Sequence, residues 1–164
     1  MRTFRGPHAG FLFIKCYYLN MKKIVTTSIA ETETLAKSWL DSLSGSDDQA
    51  TIVGLYGNLG AGKTTFSQSV GKALGIKETM TSPTFVIEKI YETTHPNFKR
   101  LVHIDAYRLE SGAELQVLNF EELVSNKNNL ILIEWPENVK SILPEDHTKI
   151  YCEFVDENTR QFSF

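Results

Sequence analysis

The sequence is poor in cysteine and in long apolar runs, and each scarcity argues against particular classes of protein. Its only two cysteines, Cys16 and Cys152, lie in unrelated contexts without a CxxC or Cys/His cluster, which argues against a structural disulfide and against a zinc site. No stretch approaches the roughly 18 apolar residues that span a bilayer. We therefore predict a protein of the reducing cytoplasm.

The chain also lacks an excess of positive charge. It carries 17 basic and 20 acidic side chains, a net charge of −3. Free-standing nucleic-acid binders neutralise many phosphates and are usually more basic than this. We expect any RNA in the biology of this protein to be held mainly by another chain. Its 164 residues are enough for one domain with a substantial core.

Residues 1–20 differ in character from the rest of the chain. Lys15 interrupts their apolar run and two bulky tyrosines follow, whereas a signal peptide has a longer apolar stretch and a small-residue cleavage site. A second methionine, Met21, opens the segment MKKIVTTS. We expect residues 1–20 to be a non-native or disordered extension and residues 21–164 to form a single domain. An N-terminal arm that binds a partner is the alternative.

Helical and strand patterns alternate along the remaining residues. Ser28 and Glu31 have capping-box spacing and predict a helix of about 14 residues. Further helices are predicted over 64–74, ended by Gly75, and behind a second capping box at Ser111 and Glu114, with Leu115, Leu118 and Leu123 on one face. Strands are predicted at 51–56, 84–91, 101–107, 130–134, 149–155 and 160–164, with 84–91 and 101–107 as one hairpin and the last two as another. This alternation predicts an α/β fold with a mixed, partly parallel central sheet flanked by helices.

The segment GNLGAGKTT, residues 57–65, has the Walker A spacing G-x-x-x-x-G-K-T between a predicted strand and a predicted helix. Glycines let the backbone amides curl around a phosphate, and the helix start adds its positive dipole end. Lys63 is expected to reach the β- and γ-phosphates, and the Thr64 hydroxyl to bind Mg²⁺. The predicted nucleotide-binding residues are Gly57, Asn58, Leu59, Gly60, Ala61, Gly62, Lys63, Thr64 and Thr65. The predicted ligand is a purine nucleoside triphosphate with magnesium, in a three-layer fold of the P-loop NTPase type.

Two acids that end apolar runs are candidates for the metal: Asp105 in LVHIDAYR and Glu134 in LILIEWPE. The pattern alone does not choose between them. The segment TSPTF, residues 81–85, is either a turn that leads into a strand or a switch-like loop that senses the γ-phosphate. His103 is interpreted as a strand residue and Arg160 as a charge of the terminal hairpin.

Five segments in this order and spacing, GNLGAGKTT, SPTF, HIDAYRL, IEWPE and ILPE, resemble the TsaE (YjeE) family. That family comprises the bacterial ATPase component of the tRNA threonylcarbamoyladenosine pathway. The resemblance runs from about Lys22 to the C-terminus and implies a P-loop fold, weak ATP hydrolysis, and work in a complex with TsaD and TsaB proteins whose cycle the ATPase resets.

The resemblance also implies roles for individual residues. Thr64 and Glu134 would be the magnesium ligands, and Asp105 would orient or activate the attacking water or couple hydrolysis to motion. Trp135 would lie at the nucleotide, although a half-buried aromatic fits equally well. Glu31 matches the N-terminal segment that borders the nucleotide in the family, but it also fits the capping box, which is the interpretation we prefer.

Two other functions fit parts of the sequence. A P-loop kinase of a small molecule or protein acceptor shares the Walker A motif, but such kinases usually close an arginine-bearing lid over two substrates. After Met21 the chain has only Arg100, Arg108 and Arg160. A nucleotide-gated binding module, in which ATP binding controls association with partners, is the second alternative.

Overall fold

The architecture is a single mixed sheet with helices on both faces. In the computed structural model, which describes residues 21–164, the strands are β1 (Lys23–Thr26), β2 (Thr51–Tyr56), β3 (Glu88–Glu92), β4 (Arg100–Asp105), β5 (Asn129–Glu134), β6 (Thr148–Phe154) and β7 (Arg160–Ser163). Their order across the sheet is β1-β7-β6-β2-β5-β4-β3. The four central strands, β6, β2, β5 and β4, run parallel, and the outer pairs are antiparallel. The α/β prediction with a partly parallel sheet is confirmed. The predictions for residues 1–20 lie outside the described part of the chain.

The helices are α1 (Ile29–Ser42), α2 (Lys63–Ala73), α3 (Gly112–Gln116), α4 (Phe120–Ser125) and a 3₁₀ helix (Pro136–Ile142). The first two cover one face of the sheet and the others cover the opposite face. Between Met21 and Phe164, none of these helices has both the length and the apolar character needed to cross a bilayer.

The central strand β5 shows how the sequence builds the two apolar layers. Every residue of this strand is buried. Because side chains alternate across a strand, Leu130 and Leu132 pack under α1 and α2, while Ile131 and Ile133 pack against the short helices. An apolar run without polar interruptions is what a parallel strand covered on both faces requires.

The predicted start and length of α1 are confirmed. Ser28 is the N-cap, and its Oγ accepts a hydrogen bond of 3.2 Å from the Glu31 backbone N–H. The Glu31 carboxylate reaches one residue further back and accepts from the Thr27 N–H at 2.7 Å. The helix spans 14 residues. Glu31 therefore acts as a capping residue in this structure.

Two element predictions were wrong in part. The strand predicted at 84–91 begins only at Glu88, because Val86 and Ile87 both donate backbone hydrogen bonds to the Pro83 carbonyl and Ile87 has φ 68°. The predicted helix behind Ser111 is broken into α3 and α4, where Asn119 adopts a left-handed φ of 58°. The Ser111–Glu114 capping box itself is present. Turn formation by a proline segment and by an asparagine overrode apolar spacing in both cases.

Candidate functional site

The loop between β2 and α2 has the backbone of a phosphate-binding loop. Gly57, Gly60 and Gly62 have φ values of 141°, 78° and 96°, which favour glycine. At Gly57 there is also no room for a side chain, since a Cβ would lie 2.2 Å from the Cys152 carbonyl oxygen. The glycines of the motif are therefore required by the shape of the loop, and α2 begins at Lys63 directly behind it.

Lys63 is folded back into the loop. Its side-chain Nζ donates to the Gly57 and Asn58 carbonyls at 2.6 and 3.0 Å, and lies 3.8 Å from the centre of the Trp135 ring. Only 5% of the residue is exposed. Burial lowers the pKa of Lys63, and the nearby Glu134 carboxylate opposes that shift. The arrangement places one buried cation at the centre of the loop.

Thr64 and Glu134 meet across the end of the sheet. Strands β2 and β5 are parallel neighbours, with Leu55 paired to Glu134, so the loop that follows β2 lies beside the carboxyl end of β5. The Thr64 Oγ1 donates to Glu134 Oε2 at 2.8 Å. A hydroxyl and a carboxylate are the oxygen ligands that Mg²⁺ takes in proteins. The donor set fits this ion.

His103 adds a second contact to Glu134. Its Nε2 lies 2.8 Å from Glu134 Oε1, and both side chains are almost fully buried. His103 and Asp105 point to the same face of β4, and Asp105 pairs in register with Glu134 on β5. The interpretation of His103 as only a strand residue was incomplete. The signal available in the sequence was its spacing of two residues from Asp105.

Asp105 makes a separate set of contacts. Its carboxylate accepts hydrogen bonds from the Ser82 and Thr84 hydroxyls at 3.3 and 2.5 Å, and from the Tyr107 N–H at 3.0 Å. The TSPTF segment is therefore anchored to the acid at the end of β4. Nothing in the described residues links Asp105 directly to Thr64. The two acids that the sequence left as alternatives lie side by side but have different partners.

Trp135 closes one side of the site. It follows β5 with a left-handed φ of 59°, is half-buried, and lies against both the Lys63 ammonium and the Tyr107 ring, whose centroid is 5.1 Å away. Trp135 is half-buried, as one of its two interpretations requires, and its place at the nucleotide stays a prediction.

Arg160 at the start of β7 is more than the hairpin charge that its sequence context predicts. Its Nε donates to the Gly60 carbonyl at 2.9 Å, and its guanidinium lies over the Phe154 ring at 4.6 Å. The contact joins the C-terminal hairpin to the phosphate-binding loop across 100 residues of sequence. A lone arginine at a strand start carries no spacing signal, so only the tertiary structure reveals it.

Two neighbouring cavities meet at this loop. One, of about 430 Å³, is lined by Leu59, Gly60, Ala61, Gly62, Lys63, Thr64, Thr65, Asp105, Glu134 and Trp135 among others, which are most of the predicted site residues. The other, of about 460 Å³, lies between Gly62, Thr65 and the start of α1 at Thr27 and Ser28. Arg160 borders both. Gly57 and Asn58 contribute their carbonyls to Lys63, and Glu31 lines neither cavity.

A fully protein-built metal cage is not part of this site. Residues 21–164 contain no group of three or more His, Cys, Asp or Glu side chains arranged to hold a metal ion. In phosphate-binding loops the nucleotide itself and water supply most of the oxygens around Mg²⁺, so one hydroxyl and one carboxylate suffice.

The fold and the site define an α/β protein of the P-loop NTPase type. Residues 26–162 match the family described as "Threonylcarbamoyl adenosine biosynthesis protein TsaE", and the chain belongs to this family. The resemblance inferred from the sequence is confirmed.

Similar proteins cover most of the chain. Proteins named "tRNA threonylcarbamoyladenosine biosynthesis protein TsaE" from Rickettsia prowazekii and Bacillus subtilis are 39% and 31% identical, over 87% and 85% of this chain and 88% and 82% of theirs. The counterpart from Rickettsia felis is 40% identical over 84% of this chain and 75% of its own length. A crystal structure of Bacillus subtilis YdiB matches with a TM-score of 0.65 and 26% identity, covering 88% of this chain and 84% of that one.

Proposed function

We propose that the protein is an Mg²⁺-dependent ATPase that serves tRNA N6-threonylcarbamoyladenosine biosynthesis together with TsaD and TsaB homologues. The observation that carries the proposal is the contact between Thr64 and Glu134 beside the buried Lys63. These three groups supply a cation for phosphate oxygens and two oxygens for a divalent ion, and family membership supplies the pathway.

Each residue of the site has a part in the proposed reaction. Lys63 would exchange its two loop carbonyls for phosphate oxygens, retaining charge-assisted hydrogen bonds in a water-poor setting. Thr64 and Glu134 would hold Mg²⁺, which neutralises charge developing on the transferred phosphoryl group when bound. Asp105, one strand away, would orient or activate the attacking water. The second cavity, at Thr65 and the start of α1, would accept the nucleoside.

The site also supports control of partner association by ATP. Ser82 and Thr84 donate to Asp105, and Phe85 in the same loop is 83% exposed. A loop that is bonded to a site acid and presents an apolar side chain outward can report the state of the site to another protein. If ATP controls partner association in this way, the cycle of ATP binding and hydrolysis resets the complex with TsaD and TsaB between rounds of modification. Phosphotransfer to a separate acceptor has less support, because Arg160 is the single arginine that borders the phosphate cavity within residues 21–164.

Calorimetry with ATP, with and without Mg²⁺, tests the nucleotide site. We expect the wild type to bind ATP. In Lys63→Ala the affinity for ATP should fall by about 10- to 100-fold, since a charge-assisted hydrogen bond contributes about 1.5–3 kcal/mol. Lys72→Ala on the same helix is the matched control, because Lys72 is exposed and pairs with Glu33. Equal ATP affinity of the wild type and Lys63→Ala would contradict the proposal that this loop binds the nucleotide.

Co-purification with TsaD and TsaB homologues tests the partners and the gating. Complex yield would be compared between Lys63→Ala, which weakens ATP binding, and Asp105→Asn, which slows hydrolysis while keeping MgATP affinity. We expect the two variants to differ in assembly, and the modified adenosine content of tRNA, measured by mass spectrometry, to fall in both. Identical assembly of the two variants would contradict gating, and unchanged tRNA modification would contradict the pathway assignment.

A further inference from the structure

His103 is the buried polar residue of the site that the proposed reaction does not use. It is 0% exposed in the middle of β4, and its register partner on β5 is Leu132. Its Nε2 bonds to Glu134, and its Nδ1 has no hydrogen-bond partner among the described residues.

This half-satisfied imidazole is difficult to explain by packing alone. On that face of the sheet its neighbours are Leu101 on the same strand, and Leu132 on β5 and Lys89 on β3 as its register partners. A leucine would pack there without leaving a polar nitrogen buried and unpaired, which costs about 1–3 kcal/mol. The contact with Glu134 is the compensating feature that the position offers.

A carboxylate that binds a cation accepts hydrogen bonds only, so in the proposed site the 2.8 Å contact takes an Nε2–H of His103 as its donor. Glu134 Oε1 then accepts from His103 and Oε2 accepts from the Thr64 hydroxyl. Two donors, His103 on β4 and Thr64 on α2, therefore hold the two oxygens of one carboxylate. When the Thr64 hydroxyl rotates toward a bound ligand, the hydrogen bond from His103 still holds the Glu134 carboxylate.

We propose that His103 is a positioning residue that holds the Glu134 carboxylate through its Nε2–H, directing Oε2 to the Thr64 hydroxyl and thereby setting the affinity for the divalent cation. The proposal rests on the proposed function in one respect, that Glu134 binds Mg²⁺. Ligand-orienting partners of this kind typically change metal affinity by about 10- to 100-fold.

Two substitutions separate positioning from packing. His103→Gln keeps an N–H donor at a similar distance along the side chain, and His103→Leu fills the space without a donor. Mg²⁺ would be titrated into each protein with ATP present, with ATP binding in the absence of Mg²⁺ measured alongside. We expect about tenfold lower Mg²⁺ affinity in His103→Leu and, because glutamine retains an N–H donor, affinity within about threefold of the wild type in His103→Gln. ATP binding without Mg²⁺ should be unchanged in both. Wild-type Mg²⁺ dependence in His103→Leu, or an equal loss in both variants, would overturn the proposal.

Nitrogen-15 NMR of the wild-type imidazole gives an independent readout that needs no nucleotide. The proposal requires a proton on Nε2, and an imidazole without a proton on Nε2 would overturn it. A wild type that fails to bind MgATP at all would defeat the proposed function, while the NMR result would still decide whether His103 holds Glu134.

Discussion

The Thr64 hydroxyl and the Glu134 carboxylate are 70 residues apart in the sequence and 2.8 Å apart in the structure. The contact exists because β2 and β5 are parallel neighbours whose carboxyl ends share one edge of the sheet. The contact joins the start of α2 to the end of β5, and Asp105 is not part of it.

The shared use of this pair predicts non-additive substitutions. Thr64→Val and Glu134→Gln should each weaken Mg²⁺-dependent ATP binding by about tenfold or more, and the double variant should lose little beyond the larger single effect, because residues in contact couple energetically. Calorimetry at several Mg²⁺ concentrations measures all three. Thr34→Val is the control, since its exposed hydroxyl only bonds the Ala30 carbonyl. Strict additivity would mean that the two residues act on the ligand separately.

Asp105→Asn tests the division of labour between the two acids. Because Asp105 bonds loop hydroxyls and a backbone N–H rather than Thr64, we expect MgATP affinity to stay within about threefold while the hydrolysis rate falls by about 10²- to 10⁴-fold, the usual range for a lost general base. Phosphate release under saturating ATP measures the rate. A fall in Mg²⁺ affinity as large as that in Glu134→Gln would instead make Asp105 a metal ligand.

Arg160 is expected to support nucleotide binding from the C-terminal hairpin. Arg160→Met removes the hydrogen bond to the Gly60 carbonyl and the charge between the two cavities, and should weaken ATP binding by about tenfold. Arg160→Lys should recover only part of this, because an ammonium does not reproduce the planar fork of contacts. Calorimetry provides the comparison, with Arg100→Met as the control, since Arg100 pairs with the exposed Glu92. Unchanged ATP affinity in Arg160→Met would mean that Arg160 only stabilises the hairpin.

The burial of Lys63 should make the stability of the fold depend on pH. Its pKa is lowered by burial, so the unfolded chain binds the proton more tightly than the folded one, and the free energy of unfolding rises with pH between the lowered pKa and the ordinary value near 10.5. The gap in the free energy of unfolding between the wild type and Lys63→Met should therefore shift in favour of the wild type as the pH rises toward about 10.

Denaturant unfolding of both proteins across this pH range measures the gap. Lys72→Met serves as the control and should show no such pH-dependent difference, because Lys72 is exposed. A wild type that loses stability relative to Lys63→Met as the pH rises would contradict the desolvation of Lys63.

Much of this protein can be predicted from local patterns in its sequence. The glycines at 57, 60 and 62 determine a loop that only residues without side chains build readily, and the apolar run 130–133 determines a strand covered on both faces. The cap at Ser28 and the end of α2 at Gly75 follow from equally local chemistry.

The tertiary structure decided which distant groups meet. The choice of Glu134 rather than Asp105 beside Thr64 depends on strand order, and the contacts of His103 and Arg160 depend on neighbours 31 and 100 residues away. Local spacing specifies helices, turns and strand faces because those arise from interactions within a few residues. Pairings across a sheet depend on how all the strands assemble, and no short stretch of sequence contains that information.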